Sequence, residues 1–252
     1  GQMPIKLNPP AHPIQVPATN LHKPLLHKPK MLRSNRSPKA ARKVALLGID
    51  WELCFSRPPG SIPGEGVGSL YVKDAEQALA AFNELRASTT WDFVGFCRDL
   101  HPKGHISFVT SHEGATLFST IDTKRGPQVM WPEHGVKGTK GSEYDPELVR
   151  QETDYFFNKG TDIDTESYSI VGDATENKRY ERTKIIQALN DHGITEVHIG
   201  GLAKNYCVAF SAIDLARANF TVFVHEAATK PVQDGTEEAQ IAAMLAAGVK
   251  FV

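Results

Sequence analysis

Four side chains able to do chemistry stand at comparable places in the chain: Asp50, Asp99 and Lys159 follow short apolar runs, and Cys207 follows another at the start of a helical pattern. A cysteine attacks as its thiolate, and a helix N-terminus or a neighbouring cation lowers its pKa. Cys207 opens an apolar helical pattern after Gly201-Leu-Ala-Lys-Asn-Tyr206, where free backbone N–H groups and the helix dipole favour negative charge. The same amides can hold the oxyanion of a tetrahedral intermediate. A carboxylate at Asp50 can take the thiol proton and return it to a leaving amine, while Lys159 stabilises the thiolate. Each residue alone has a plainer reading: a small buried cysteine, a capping aspartate, a solvated loop lysine. Their coincidence is what points to covalent catalysis.

A second set surrounds Asp99. In Asp99-Leu-His101 the carboxylate and the imidazole are two apart at a strand end, so they point to the same side and can share one metal. His105 follows, and the more distant His134 of Trp131-Pro-Glu-His134 can complete the set. One carboxylate and two imidazoles suit zinc, iron or manganese, with positions left open for water or ligand. The plainer reading is surface histidines in loops. His12, His22, His27, His192, His198 and His225 show no such grouping and read as ordinary.

The elements that must position these residues follow a strand-then-helix rhythm from Lys43 onward. Val44–Ile49 has the length and apolar continuity of a buried parallel strand. Asp74–Arg86 has apolar residues at helical spacing, and strands are expected at Phe93–Cys97, Tyr155–Phe157 and Val197–Ile199. Helices are expected at Glu181–Leu189, Cys207–Ala218 and Glu237–Ala247, with strands at Thr221–Val224 and Val249–Val252. Alternation of this kind predicts an α/β, doubly wound, mainly parallel sheet with helices on both faces. Ligands bind such sheets outside the carboxyl ends of the strands, which is where all four reactive side chains fall.

Composition divides the chain at the same place. Residues 1–43 hold nine of the 28 Lys/Arg and no Asp/Glu, so 19 basic and 29 acidic residues remain in the acidic body. Half of the prolines lie between Pro4 and Pro38, which predicts an irregular, extended N-terminal arm over 1–42 ahead of a catalytic domain at 43–252. Gly1-Gln2 ahead of Met3 reads as an expression remnant. The basic arm fits a strap across the acidic body, organelle targeting, or nucleic-acid affinity; it lacks interleaved aromatics, and the acidic body would repel phosphates. No apolar run approaches the roughly 18 to 20 residues of a membrane span. Cys54, Cys97 and Cys207 are far apart and cannot all pair, which fits a reduced, cytoplasmic protein. The expected partner is a small-molecule substrate rather than nucleic acid or membrane, and a homo-oligomer is compatible.

Several blocks then resemble the nicotinamidase/pyrazinamidase branch of the isochorismatase-like hydrolases. They are Ala45–Phe55, Arg98–Phe108 (R-D-L-H-P-K-G-H-I-S-F), Trp131–Leu148, Asn158–Thr161 with Ser167-Tyr-Ser169, and Gly201–Val208 (G-L-A-K-N-Y-C-V). The resemblance implies the isochorismatase-like fold and conversion of nicotinamide to nicotinate and ammonia, a step of NAD salvage. It implies a catalytic triad of Asp50, Lys159 and Cys207 acting through a thioester. It implies Asp99, His101 and His134 as ligands of one divalent metal per chain, zinc first, with His105 an occasional ligand. The metal of such enzymes orients the pyridine ring, Phe55 and Trp131 match the aromatics that sandwich it, and the backbone N–H groups of Ala203 and Cys207 match the oxyanion hole. Leu202-Ala203 matches a peptide that is usually cis. The chain departs from the family at Glu52-Leu53-Cys54, where Gln-Asn-Asp is usual. It departs again at Gly135, where cysteine is common, and at Lys204-Asn205, where Thr-Asp is usual. The alternatives are a related cysteine amidase acting on a carbamoyl or ureido substrate, and a binding protein that reuses the fold.

Overall fold

In the computed structural model, residues 42–172 and 184–252 are described. The arm with its three readings, and the first residues of the helix expected from Glu181, lie outside them. Among the described residues the chain runs β1 Val44–Ile49, α1 Leu53–Ser56, α2 Ala75–Ala87, β2 Phe93–Asp99, β3 Thr120–Thr123, β4 Gly126–Val129, β5 Tyr155–Lys159, α3 Ile185–Asp191, β6 Glu196–Leu202, α4 Ala209–Arg217, β7 Thr221–Lys230, α5 Glu237–Ala246 and β8 Lys250–Phe251. Six strands form one parallel sheet in the order β5-β2-β1-β6-β7-β8. Strand order therefore reverses between β1 and β6. Crevices open at such switch points, beyond the carboxyl ends of the strands.

Side-chain alternation along β1 explains the two layers of core. Ala45, Leu47 and Ile49 pack with Ile185 and Leu189 of α3 and with Ala212 and Leu215 of α4. Leu46, on the other face, packs with Leu79 and Phe82 of α2 and with Phe96. Burial on both faces is why β1 reads as an unbroken apolar run. Gly200 in β6 gives α2 its close seat: a Cβ there would lie 2.6 Å from the Phe82 ring.

The elements differ from the sequence expectation mainly at their ends. β2 and β5 run two residues further, so Asp99 and Lys159 are the last residues of their strands, paired with one another in register. β7 extends to Lys230 past an irregularity beside Ile199–Gly201, which the polar His225-Glu226 conceals in the sequence. The one-turn α1 and the β3–β4 hairpin were not expected. The helix expected from Cys207 begins at Ala209, preceded by a wide turn over Lys204–Val208 in which the Val208 N–H reaches the Ala203 carbonyl at 3.2 Å.

Candidate active site

Asp50 leaves β1 in a left-handed conformation, φ 53°, with its N–H donating to the Cys97 carbonyl at 2.8 Å. Aspartate tolerates that region at some cost in strain, and such residues concentrate at working sites. The turn brings its carboxylate 2.8 Å from Lys159 Nζ. The same ammonium contacts Asp99 and lies 3.2 Å from Cys207 Sγ. Asp50, Asp99 and Cys207 each offer an atom within 4.8 Å of the others. All four side chains singled out in the sequence thus meet at one point, and all are buried.

Burial pushes the Asp50 pKa up to about 7, with Asp99 adding to the rise and Lys159 opposing it. Burial also raises the Cys207 thiol well above its ordinary value, as do Asp50 and Asp99, and Lys159 only partly offsets them. This corrects the expectation of a thiol lowered by a helix end. Cys207 sits inside the wide turn rather than at the first turn of α4, and two carboxylates face it. At rest its proton is held, and the Asp50 carboxylate lies within 4.8 Å of Sγ to take it. Burial opposes charge on Lys159, but Asp50 and Asp99 hold its pKa well above the usual lysine value.

The second set assembles alongside. His101 Nδ1 meets the Gly160 carbonyl at 2.8 Å and His134 Nδ1 meets the Pro132 carbonyl at 2.7 Å. A carbonyl only accepts, so both rings carry hydrogen on Nδ1 and turn Nε2 toward Asp99 Oδ2, at 3.5 and 3.8 Å. His101 Nε2 is buried with no hydrogen-bond partner among the described residues. Burial opposes a charge on His101, yet Asp99 and Glu166 bring its pKa up to about 9, so the carboxylates demand a cation at this point. Burial, and then His101, push His134 down to about 4, which keeps it a neutral donor. Two Nε2 atoms turned toward one buried carboxylate fit a divalent metal, which would take the place of the proton that His101 otherwise holds there. Gly160 makes room for it, because a Cβ there would lie 2.4 Å from the His101 ring.

His105 stacks on His101 with ring centroids 4.0 Å apart, but both its nitrogens are engaged, with Ser107 Oγ at 2.8 Å and the Thr165 carbonyl at 2.9 Å. Sequence reasoning missed Glu166, whose carboxylate comes within 4.8 Å of a ligand atom of both His101 and His105. It lies in a loop with no periodicity to place it. Burial would raise its pKa, but His101 and His105 pull it below the ordinary value.

Phe55, Trp131, Ala203, Asp99, His134 and Cys207 line one cavity over these groups. Phe55 faces the His134 ring at 5.4 Å, and Trp131 packs edge-on against Tyr206 at 4.9 Å while its Nε1 donates to the Tyr168 hydroxyl. The Leu202-Ala203 peptide is cis. A larger cavity of about 520 Å³ opens at the other end of the sheet, beside Trp91, Phe93 and Tyr155, away from every one of these side chains. Chemistry rather than size selects the site. His198 and His225, read as isolated, bond to each other at 2.7 Å and through His198 to Glu196, also outside it.

Residues 44–252 match the model of the isochorismatase domain family. The nicotinamidase of Acinetobacter baylyi is 34% identical over 215 residues, covering 85% of this chain and 94% of its own. The chain belongs to the nicotinamidase/pyrazinamidase family of isochorismatase-like hydrolases. The yeast nicotinamidase bound to the inhibitor nicotinaldehyde superposes with TM-score 0.72 at 27% identity, covering 83% of this chain and 99% of that one. A pyrazinamidase of Pyrococcus horikoshii in complex with zinc superposes with TM-score 0.62 at 26% identity, covering 83% and 98%.

The chain's departures from that family's usual residues fall around the reacting groups rather than on them. Glu52 is fully buried behind Asp50, and burial, with Asp50 and Asp99, raises its pKa well above the carboxylate range. Gly135 adopts φ 55° with its Cα against Asp99.

Proposed function

We propose that this amidohydrolase converts nicotinamide to nicotinate and ammonia through a thioester on Cys207, with Asp50 as general base and acid and Lys159 as the orienting charge. The observation that carries this reading is the single ammonium of Lys159 touching Asp50, Asp99 and Cys207 at once. It couples a nucleophile–base pair to a metal-ligand set, which a bare cysteine amidase would not need. Asp99, His101 and His134 would hold one divalent ion per chain, zinc first, since the Pyrococcus pyrazinamidase is in complex with zinc. When bound, that ion supplies a Lewis acid for the ring nitrogen of a pyridine carboxamide.

Phe55 and Trp131 bracket the ring and exclude water from the pocket. Asp50 takes the proton of Cys207 as Sγ bonds to the carboxamide carbon, and the backbone N–H groups of Ala203 and Cys207 receive the oxyanion. Asp50 then gives that proton to the amine, the C–N bond breaks and ammonia leaves. A water, deprotonated by Asp50, attacks the thioester carbon, and the C–S bond breaks with the proton returning to sulfur. The sum is amide plus water to acid plus ammonia. Lys159 keeps its proton throughout and balances whichever of Asp50 or Cys207 is anionic.

The test is product analysis on nicotinamide beside a carbamoyl or ureido substrate. Equal amounts of nicotinate and ammonia from nicotinamide, with little turnover of the ureido compound, support the reading. Turnover confined to the ureido substrate overturns it in favour of a related amidase.

A further inference from the structure

The turn that carries Cys207 is latched to the loop after β7 and to the first residue of α5 by three consecutive side chains. Lys204 Nζ pairs with Glu237 Oε1 at 3.1 Å, and the Tyr206 hydroxyl donates to Asp234 Oδ2. Between them Asn205, fully buried, makes the densest set of contacts. Its Oδ1 accepts from the Val232 N–H at 2.9 Å, and its Nδ2 faces the Val232 carbonyl at 2.9 Å, Thr236 Oγ1 at 2.8 Å and Asp234 Oδ1 at 3.1 Å. The orientation of the amide is fixed, because a carbonyl and a carboxylate can only accept. Its neighbours in the chain, Ala203 and Cys207, line the cavity, and so do Val232 and Tyr206. The amide therefore joins the two walls of the pocket.

We propose that Asn205 is a positioning residue for the amidase reaction, working as one half of an amide–carboxylate pair with Asp234. This rests on the reading of Cys207 as nucleophile. An aspartate at 205 would lose all donation to Val232, Thr236 and Asp234. It would also set a carboxylate oxygen in the place of Nδ2, 3.1 Å from Asp234 Oδ1, where like charges repel. The departure at 205 is thus matched to the acid at 234, and the pair fixes the distance between the nucleophile's turn and the wall bearing Val232. Neither side chain touches the reacting atoms.

The experiment is a double-mutant cycle on Asn205→Asp and Asp234→Asn in the full chain. It reads kcat and KM for nicotinamide, the melting temperature, and the rate of Cys207 alkylation by iodoacetamide, followed by mass spectrometry. Asn205→Asp is expected to lower kcat/KM about 30-fold, and adding Asp234→Asn to recover about tenfold of it, with the alkylation rate moving in the same order. A cycle in which melting temperature falls and recovers while kcat/KM and alkylation stay at wild-type values would overturn the proposal, leaving a role in stability alone. Asn205→Asp without effect on any readout would overturn it as well. If that variant does not fold, Thr236→Ala replaces it, with an expected threefold or so rise in KM; an unchanged KM counts against the latch. Alkylation does not depend on nicotinamide, so a wild-type enzyme inert toward that amide would sink the proposed substrate while still testing the latch.

Discussion

Lys159 is the side chain on which the site turns, since its one ammonium answers two buried carboxylates and a thiol. Replacing it by methionine strands Asp50 and Asp99 in the interior without a counter-charge. Breaking a buried pair in this way costs about 3–5 kcal/mol, so Lys159→Met is expected to unfold at clearly lower denaturant concentration than wild type. An unchanged midpoint would mean that the carboxylates are neutral or solvated. The pH dependence follows from Asp50, held up to about 7 mainly by burial. A base acts only when deprotonated, so kcat/KM is expected to rise from the acid side and level off above about pH 7. A profile flat between about pH 5 and 8 would remove Asp50 from that role. At this scale the sequence was most informative where chemistry and position coincide: Asp50, Asp99 and Lys159 follow apolar strand runs, and Cys207 opens an apolar helical pattern. It was silent on Glu166 and on the work of Asn205, because loop residues are brought in by tertiary contacts that leave no periodic trace. It also misjudged the Cys207 thiol, whose burial among carboxylates only the fold reveals.

The parallel strands were legible because burial on both faces writes an unbroken apolar run, as in Val44–Ile49. Their ends were not. β2 and β5 finish on Arg98-Asp99 and Asn158-Lys159, polar residues that look like loop until their partners are known. Cys207 and Val208, the last two residues of the turn over Lys204–Val208, look like the start of a helix in the sequence because Cys207-Val208-Ala209 continues the apolar spacing of α4. The β3–β4 hairpin is too short and too polar to announce itself. One contact between elements can be tested alone. Gly200→Ala would drive a methyl to 2.6 Å from the Phe82 ring, pushing α2 off β6 near the strand end that carries Leu202-Ala203. Overpacking of this kind costs about 1–3 kcal/mol, read as a lower melting temperature. A variant as stable as wild type would show that α2 gives way freely.

For the whole molecule, the crossing point between β1 and β6 gathers groups from across the chain, from Asp50 to Cys207, and sets His101 and His134 beside the buried Asp99. Purified protein is expected to carry about one divalent ion per chain, since one complete ligand set with free Nε2 atoms is present among the described residues. His101→Ala should lose it and raise KM for nicotinamide far more than it lowers the melting temperature. Full occupancy in that variant, by elemental analysis, would reassign the ligands. The account stands or falls on the nucleophile, and the most direct measurement is steady-state release of ammonia from nicotinamide by wild type and Cys207→Ala side by side. The prediction is a loss of about a thousandfold or more in kcat, with an unchanged circular dichroism spectrum. Wild-type turnover from folded Cys207→Ala would contradict it.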